Sequence, residues 1–404
     1  MTDIKIGLIR ESKVPHDKRV AFSPEQCKAI QEQFPNIQIF VQQSDWRCYT
    51  DQEYRNEGIN VVDQVVECDV LMGIKEVPKE ELIENKTYFF FSHTIKKQAH
   101  NKKLLQTVLS KKIRLIDYEC LTDLQGNRII GFGRYAGIVG AYNALMAYGL
   151  KYNILDLKPA HLCKDRAEVF DQFSSINLPN IKIVVTGGGR VANGACETMG
   201  ALKMRKVTPY EFLNYSFREP VYVQLHSKDY HAAMDRSPFN QIEFYESPEK
   251  YRCIFADASS YASVCDILIH CAYWNPKAPL LFSKKDMKDP GFRISVISDV
   301  TCDINGSIPS TMKASSIEEK FYGYDVASEQ LTEAFDKNVI SVTAIDNLPC
   351  ELPRDSSEGF GKHFMERVLP TLVKEDQTKI LERATIAQNG KLTERFDYLS
   401  DFVA

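Results

Sequence analysis

The sequence predicts an α/β protein built on parallel sheets, and three observations carry that reading. Short apolar runs alternate along the chain with amphipathic stretches of helical period, the pattern of strands joined by crossover helices. Runs such as Tyr88-Phe89-Phe90-Phe91 are apolar throughout rather than at every second residue, as expected of strands covered on both faces. A glycine-rich turn, Gly187-Gly188-Gly189, joins one such run to a further helical stretch.

Taken in order, Ile4 to Ile9 reads as the first strand. Ser23-Pro24 then supplies the cap and first-turn proline of a helix. Ile37 to Val41 is a second strand and Asp51 to Glu57 a helix. Val70 to Ile74, Tyr88 to Phe91 and Ile113 to Asp117 are further strands, with Lys102 to Lys111 helical between the last two. The stretch from Tyr135 to Leu145 is a long helix whose small residues suit close packing, as in a helix joining two domains. A second series of strands and helices begins at Ile181 to Thr186 and takes in Val207, Val221 to Leu225, Asp266 to Cys271 and Ile294 to Asp299. Ser357 to Lys374 reads as one more helix, broken only at Pro370.

The chain of 404 residues has room for two ordinary domains. Fifty basic and 54 acidic side chains leave a net charge of -4, which gives no electrostatic case for nucleic acid or an anionic membrane as partner. Small molecules are the expected partners. No apolar run approaches the roughly 20 residues of a membrane span, and the start MTDIKIGLIRESK reads as a strand rather than a signal peptide. The 11 cysteines are scattered with no C-x-x-C pair, which suits a reducing cytoplasm and gives no zinc spacing.

The glycine loop carries the first chemical signal. Between Thr186 and the helix that follows stand Gly187, Gly189, Arg190, Val191 and Gly194, in the spacing G-x-G-x-x-x-x-G. Glycines there permit a tight turn and let backbone N–H groups approach a pyrophosphate at the positive end of the helix. A strand before and a helix after are the context that turns the pattern into a dinucleotide site. The next strand is expected near Val207 and has no acid for a ribose. Lys203, Arg205 and Lys206 nearby suit a 2′-phosphate or merely a solvated basic turn, so NAD and NADP both stay open.

Lys75 and His93 carry the second signal, since each ends an apolar strand. In an open parallel sheet ligands bind beyond the carboxyl ends of the strands, so the two can face one crevice as base and acid. Asp17, Arg19, Glu76, Lys96, Glu119, Arg128 and Phe132 stand near strand ends as well. Arginines there suit a dicarboxylate or amino-acid substrate.

Several stretches resemble a known family. R-V-x-x-x-P from Arg19 to Pro24, Tyr54 to Gly58, and K-E-x-P from Lys75 to Pro78 are similar to the alanine dehydrogenase and transhydrogenase superfamily. Phe90 to Lys96, Ser298 to Asp303 and Ile345 to Arg354, with Tyr273-Trp274 and Asn389-Gly390, resemble saccharopine dehydrogenase (lysine-forming), above all the lysine–2-oxoglutarate reductase half of the bifunctional animal enzyme. The resemblance implies two Rossmann-like domains with parallel sheets, the cofactor domain (136–348) inserted into a catalytic domain (1–135 and 349–404). It implies an oxidoreductase of CH–NH bonds that interconverts saccharopine with lysine and 2-oxoglutarate, using NAD or NADP. Lys75 would be the base and His93 the acid, tuned by Asp17, Glu76 and Glu119. Arg19, Lys96, Arg128 and Phe132 would touch substrate, and Gly187, Gly189, Arg190, Val191, Gly194, Tyr273, Ser298, Asp299, Val300 and Thr301 the cofactor. Asp17 stands where relatives often have Glu. An alanine dehydrogenase-like enzyme and a catalytically idle nucleotide sensor are the alternatives.

Overall fold

The computed structural model describes residues 3–374 and 376–404. They form two compact units, the first of Met1–Phe132 with Pro353–Ala404 and the second of Gly133–Leu352.

In the first unit an eight-stranded sheet runs, edge to edge, Asn60–Val62, Ile37–Gln42, Ile4–Leu8, Val70–Met72, Thr87–Phe90, Arg114–Asp117, Thr385–Gln388 and Lys391–Leu392. The first six pair in parallel, and numbered along the chain they read 3-2-1-4-5-6. Chain direction across the sheet therefore reverses between Ile4–Leu8 and Val70–Met72, which opens a crevice at their carboxyl ends. The helix Pro24–Gln33 starts where the sequence places it. Ser23 and Gln26 form a reciprocal cap, and Pro24 occupies a first-turn position where its missing N–H costs nothing.

Besides the edge strand Asn60–Val62, which the sequence reading lacks, two features of this unit differ from it. The C-terminal helix is two helices, Pro353–Arg367 and Leu369–Val373, because Pro370 fits the first turn of a new helix but not the interior of an old one. A hairpin that the sequence reading lacks, Thr385–Gln388 with Lys391–Leu392, then adds antiparallel strands at the sheet edge. Asn389 and Gly390 make its turn at φ of 53° and 77°, the left-handed pair that a two-residue hairpin requires.

The second unit has its own eight-stranded sheet, in the order Gln330–Thr332, Tyr322–Asp325, Ile340–Thr343, Val296–Asp299, Ile267–His270, Lys182–Thr186, Val221–Leu225 and Arg205–Lys206. Its five longer parallel strands are buried along nearly their whole length. The switch point falls between Lys182–Thr186 and Ile267–His270. One expectation is overturned here. The strand beside Lys182–Thr186 is Val221–Leu225, not the basic stretch near Val207; Arg205–Lys206 is the outer edge strand. A two-residue edge strand has little apolar surface to announce it, and the helix Pro209–Asn214 intervenes before its partner.

The long helix Gly133–Tyr152 packs within this unit against Arg190–Ala201, at a distance only glycine allows. A Cβ on Gly137 would lie 1.8 Å from the Val191 carbonyl oxygen, and one on Gly194 would lie 1.9 Å from that of Arg134. Thr198 Oγ1 seals the contact by donating to the Ile138 carbonyl at 3.0 Å.

Candidate active site

In the first unit the carboxyl ends of two adjacent strands hold the expected catalytic residues. Lys75 follows Val70–Met72 by way of Gly73 and Ile74, and His93 follows Thr87–Phe90. The two ends are tied together, since Nδ1 of His93 lies 2.6 Å from Oε1 of Glu76, while Lys13 Nζ donates to Oε2 at 2.7 Å. Burial raises the pKa of Glu76, but the contacts with His93 and Lys13 outweigh it and hold the carboxyl at about 2. A negative group thus stands between the imidazole and the lysine-bearing segment at any physiological pH.

His93 sits at φ 52°, in the left-handed region that costs a β-carbon residue roughly 1–2 kcal/mol. Its neighbours hold it there. Ser92 donates both its N–H (2.9 Å) and its hydroxyl (2.5 Å) to Asp117 Oδ2, and the Thr94 N–H donates to Ser92 Oγ at 3.3 Å. Asp117 is fully buried at the end of the next strand, where burial raises its pKa. Strain stabilised by surrounding structure is characteristic of functional loops.

Glu119, just beyond that strand, gathers two of the expected substrate residues. Arg128 Nη2 donates to its Oε1 at 2.6 Å and Lys96 Nζ lies 3.4 Å from the same oxygen. Burial raises the Glu119 pKa, yet Arg128, Lys96 and His93 together lower it further than burial lifts it. Both cations remain largely exposed, so their heads can reach an anionic ligand.

Asp17 and Arg19 take a different part. They form a buried bidentate pair, with Nε to Oδ1 at 2.9 Å and Nη2 to Oδ2 at 2.6 Å. The Arg19 guanidinium lies 4.1 Å from the centre of the Phe132 ring, which stacks on Phe360 at 4.8 Å. Asp17, expected to tune Lys75 and His93, is engaged by Arg19, and its charge also raises the pKa of Glu11.

Glu11 is the residue that sequence reading missed. It follows the first strand across the switch point from Lys75, and its two carboxylate oxygens accept the backbone N–H groups of Ile74 and Lys75, at 2.5 and 2.9 Å. Burial, aided by Asp17, pushes its pKa up to about 8 against those hydrogen bonds. Its signal was available, since an acid at a strand end next to the switch point is as conspicuous as the lysine opposite.

In the second unit a cavity of about 400 Å³ lies at the switch point. Gly187, Gly189, Arg190, Val191 and Tyr273 line it, as expected of a nucleotide site. Gly187 turns at φ 97°, and Gln224 Nε2 donates to its carbonyl at 3.1 Å. A Cβ on Gly189 would meet only open space, so the start of the Arg190–Ala201 helix offers its first N–H groups to a ligand without obstruction. Gly194 has another reason to be glycine, the contact with Arg134 already described.

The Ser298–Thr301 segment is not part of this cavity's wall. Ser298 Oγ donates to the Gly140 carbonyl at 2.9 Å, Asp299 accepts from Thr301 and Thr311, and Val300 packs against Gly140. The lining that sequence reading missed is Ser227, Tyr230 and His231 on one side, with His270, Trp274 and Ser307 among those on the other. At the end of the Val221–Leu225 strand, where a ribose acid would stand, the chain reads His226-Ser227-Lys228. The basic residues expected there have other partners, Lys206 on Gln224 at 2.8 Å and Arg205 on Glu219 at 3.4 Å.

Comparison with known proteins follows the same division. Residues 7–139 match the family model "Alanine dehydrogenase/PNT, N-terminal domain". Among solved structures, an L-alanine dehydrogenase covers 99% of the chain with a TM-score of 0.65 at 16% identity, and a transhydrogenase from Sinorhizobium meliloti covers 96% with a TM-score of 0.60 at 15% identity. The fold is thus the α/β fold of these proteins, two mostly parallel sheets with helices. Over nearly the whole chain the homologues are more particular. The mitochondrial alpha-aminoadipic semialdehyde synthase of Mus musculus is 29% identical over 98% of this chain and 47% of its own length. The saccharopine dehydrogenase [NAD(+), L-lysine-forming] of Emericella nidulans is 26% identical over 96% of this chain and 97% of its own. The chain spans about half the length of the semialdehyde synthases and nearly the whole length of the saccharopine dehydrogenase.

Proposed function

We propose that this chain is an NAD(P)-dependent oxidoreductase of lysine metabolism that interconverts saccharopine with lysine and 2-oxoglutarate. One observation carries the reading: Lys75 and His93 occupy the carboxyl ends of adjacent strands, and Glu76 bridges the segment of one to the ring of the other. Homologues named saccharopine dehydrogenase support the substrate class.

The cofactor's residues fit. The open space at Gly189, the helix start at Arg190 and the lined cavity would hold the pyrophosphate and its nucleosides. When bound, the nicotinamide supplies or accepts the hydride. The protein's own part is positioning and proton transfer. In the forward direction the lysine ε-amine and the keto carbon of 2-oxoglutarate lose water to form an imine. His93 gives the departing oxygen its proton, and reduction of the imine, with Lys75 returning a proton to nitrogen, gives saccharopine. In reverse, Lys75 takes the proton from the secondary amine, His93 accepts one from the attacking water, and the carbinolamine collapses to the two products. Glu76 keeps the imidazole oriented, and Arg128 and Lys96 would receive substrate carboxylates in exchange for Glu119.

The test is steady-state turnover with lysine plus 2-oxoglutarate against pyruvate plus ammonia, each with NADH and NADPH. Turnover of the first pair alone supports the proposal. Turnover of the second pair alone replaces it with an alanine dehydrogenase-like activity, and nucleotide binding without turnover of either leaves a sensor.

A further inference from the structure

We infer that Ser307 is a hydrogen-bond donor that the cavity offers to the nicotinamide-bearing half of a bound dinucleotide, held in that role by His270; the inference rests on the dinucleotide reading above.

Buried hydrogen bonds fix the direction of each proton from Thr186 to Ser307. Thr186 ends the strand that enters the glycine loop and is fully buried. Its Oγ1 accepts the Cys271 N–H at 3.1 Å and lies 2.9 Å from Nδ1 of His270. Among the described residues no other acceptor reaches the Thr186 hydroxyl, so its proton goes to Nδ1. The opposite arrangement would strand that proton in the core without an acceptor. Nδ1 is therefore the acceptor and Nε2 carries the ring proton. Burial keeps the imidazole neutral, lowering its pKa against the pull of Asp299 and Asp303.

Nε2 lies 2.9 Å from Ser307 Oγ and must donate to it. Ser307 is nine-tenths buried and lines the cavity, and with its oxygen taken by the ring its own proton has no acceptor among the described residues. The Ser307 hydroxyl proton is therefore left for a ligand in the cavity that this residue lines. The side of the cavity identifies which half of the ligand. His270 and Ser307 stand on the Ile267–His270 side of the glycine loop, and Ser227 stands at the end of Val221–Leu225 on the other. In doubly wound sheets the adenosine half occupies the latter side and the nicotinamide half the former. The acceptor would be a ribose oxygen or the carboxamide oxygen.

Titration of the full chain tests this with NADH and NADPH by fluorescence, and with ADP and adenosine 2′,5′-bisphosphate by calorimetry. Ser307→Ala should weaken the better-bound dinucleotide by about five- to tenfold and leave the adenosine fragments unchanged, while Ser307→Thr keeps wild-type affinity. Should Ser307→Ala fail to fold, Ser307→Cys, a weaker donor, reads the same contrast. Unchanged dinucleotide affinity, or equal weakening of dinucleotide and fragments, overturns the assignment. Wild-type protein that binds none of the four ligands overturns the dinucleotide reading itself.

Discussion

His93 Nδ1 lies 2.6 Å from Glu76 Oε1, so the residue after Lys75 grips the ring that ends the neighbouring strand. The contact links the site's geometry to its charge, because it helps to hold the Glu76 carboxyl at about 2, below its ordinary 4.5.

That link sets a stability profile. A carboxyl with a depressed folded-state pKa contributes stability above its unfolded value near 4.5, and the contribution is lost as pH falls toward 2. Glu76→Gln should therefore unfold more easily than wild type at pH 7, by up to about 3 kcal/mol. The gap should narrow steadily below pH 4.5. Urea unfolding at pH 7, 4 and 3 measures it, and a gap independent of pH would contradict the pairing.

Glu11 should behave in the opposite sense. Its folded-state pKa of about 8 exceeds the ordinary 4.5, so the folded state holds a proton that the unfolded chain has released. Wild type then loses stability as pH rises from 4.5 to 8, a slope that Glu11→Gln removes. Relative to wild type the variant should gain about 1–3 kcal/mol between pH 5 and 8. The same urea series reports the slope, and parallel curves for the two proteins would refute the buried, protonated Glu11.

Lys75→Met tests the chemistry alone. Turnover of saccharopine should fall by two or more orders of magnitude, on the scale of a lost general base, while dinucleotide titration changes little. Near-normal turnover would remove Lys75 from its role.

The two glycines of the loop should separate binding from folding. Gly189→Val places a side chain in open space beside the helix start, so the protein should fold with a near wild-type Tm and fail to bind dinucleotide. Gly194→Ala drives a methyl toward the Arg134 carbonyl, 1.9 Å from an ideal Cβ, and should cost about 1–3 kcal/mol, read as a lower Tm. Retained binding in the first variant, or an unchanged Tm in the second, would break this division.

Much of this was legible in the residues. The α/β class followed from continuous apolar runs, because a strand covered on both faces has no polar side to alternate with. Lys75 and His93 stood out because ionisable groups end apolar strands. The loop Gly187–Val191 stood out because its strand and helix were recognisable around it. Other parts were hidden. The resemblance makes Asp17 a tuning acid, and nothing in the sequence shows that Arg19 takes both its oxygens. Ser298 reads as a ligand residue in its motif, yet its hydroxyl is bonded to Gly140. The partner of a short polar side chain is fixed by what folding brings near it, which no local pattern encodes.

The sequence by itself determined the kind of sheet, the strand ends that carry ionisable groups and the glycine turn, because each depends on local apolarity and backbone freedom. Only the tertiary structure decided which strand lies beside which: that Val221–Leu225, not the basic stretch before it, flanks the loop, that Glu11 meets the backbone of Lys75, and that His270 meets Ser307. Strand neighbours are chosen by burial across the whole sheet, and hydrogen-bond partners far apart in sequence follow from that choice.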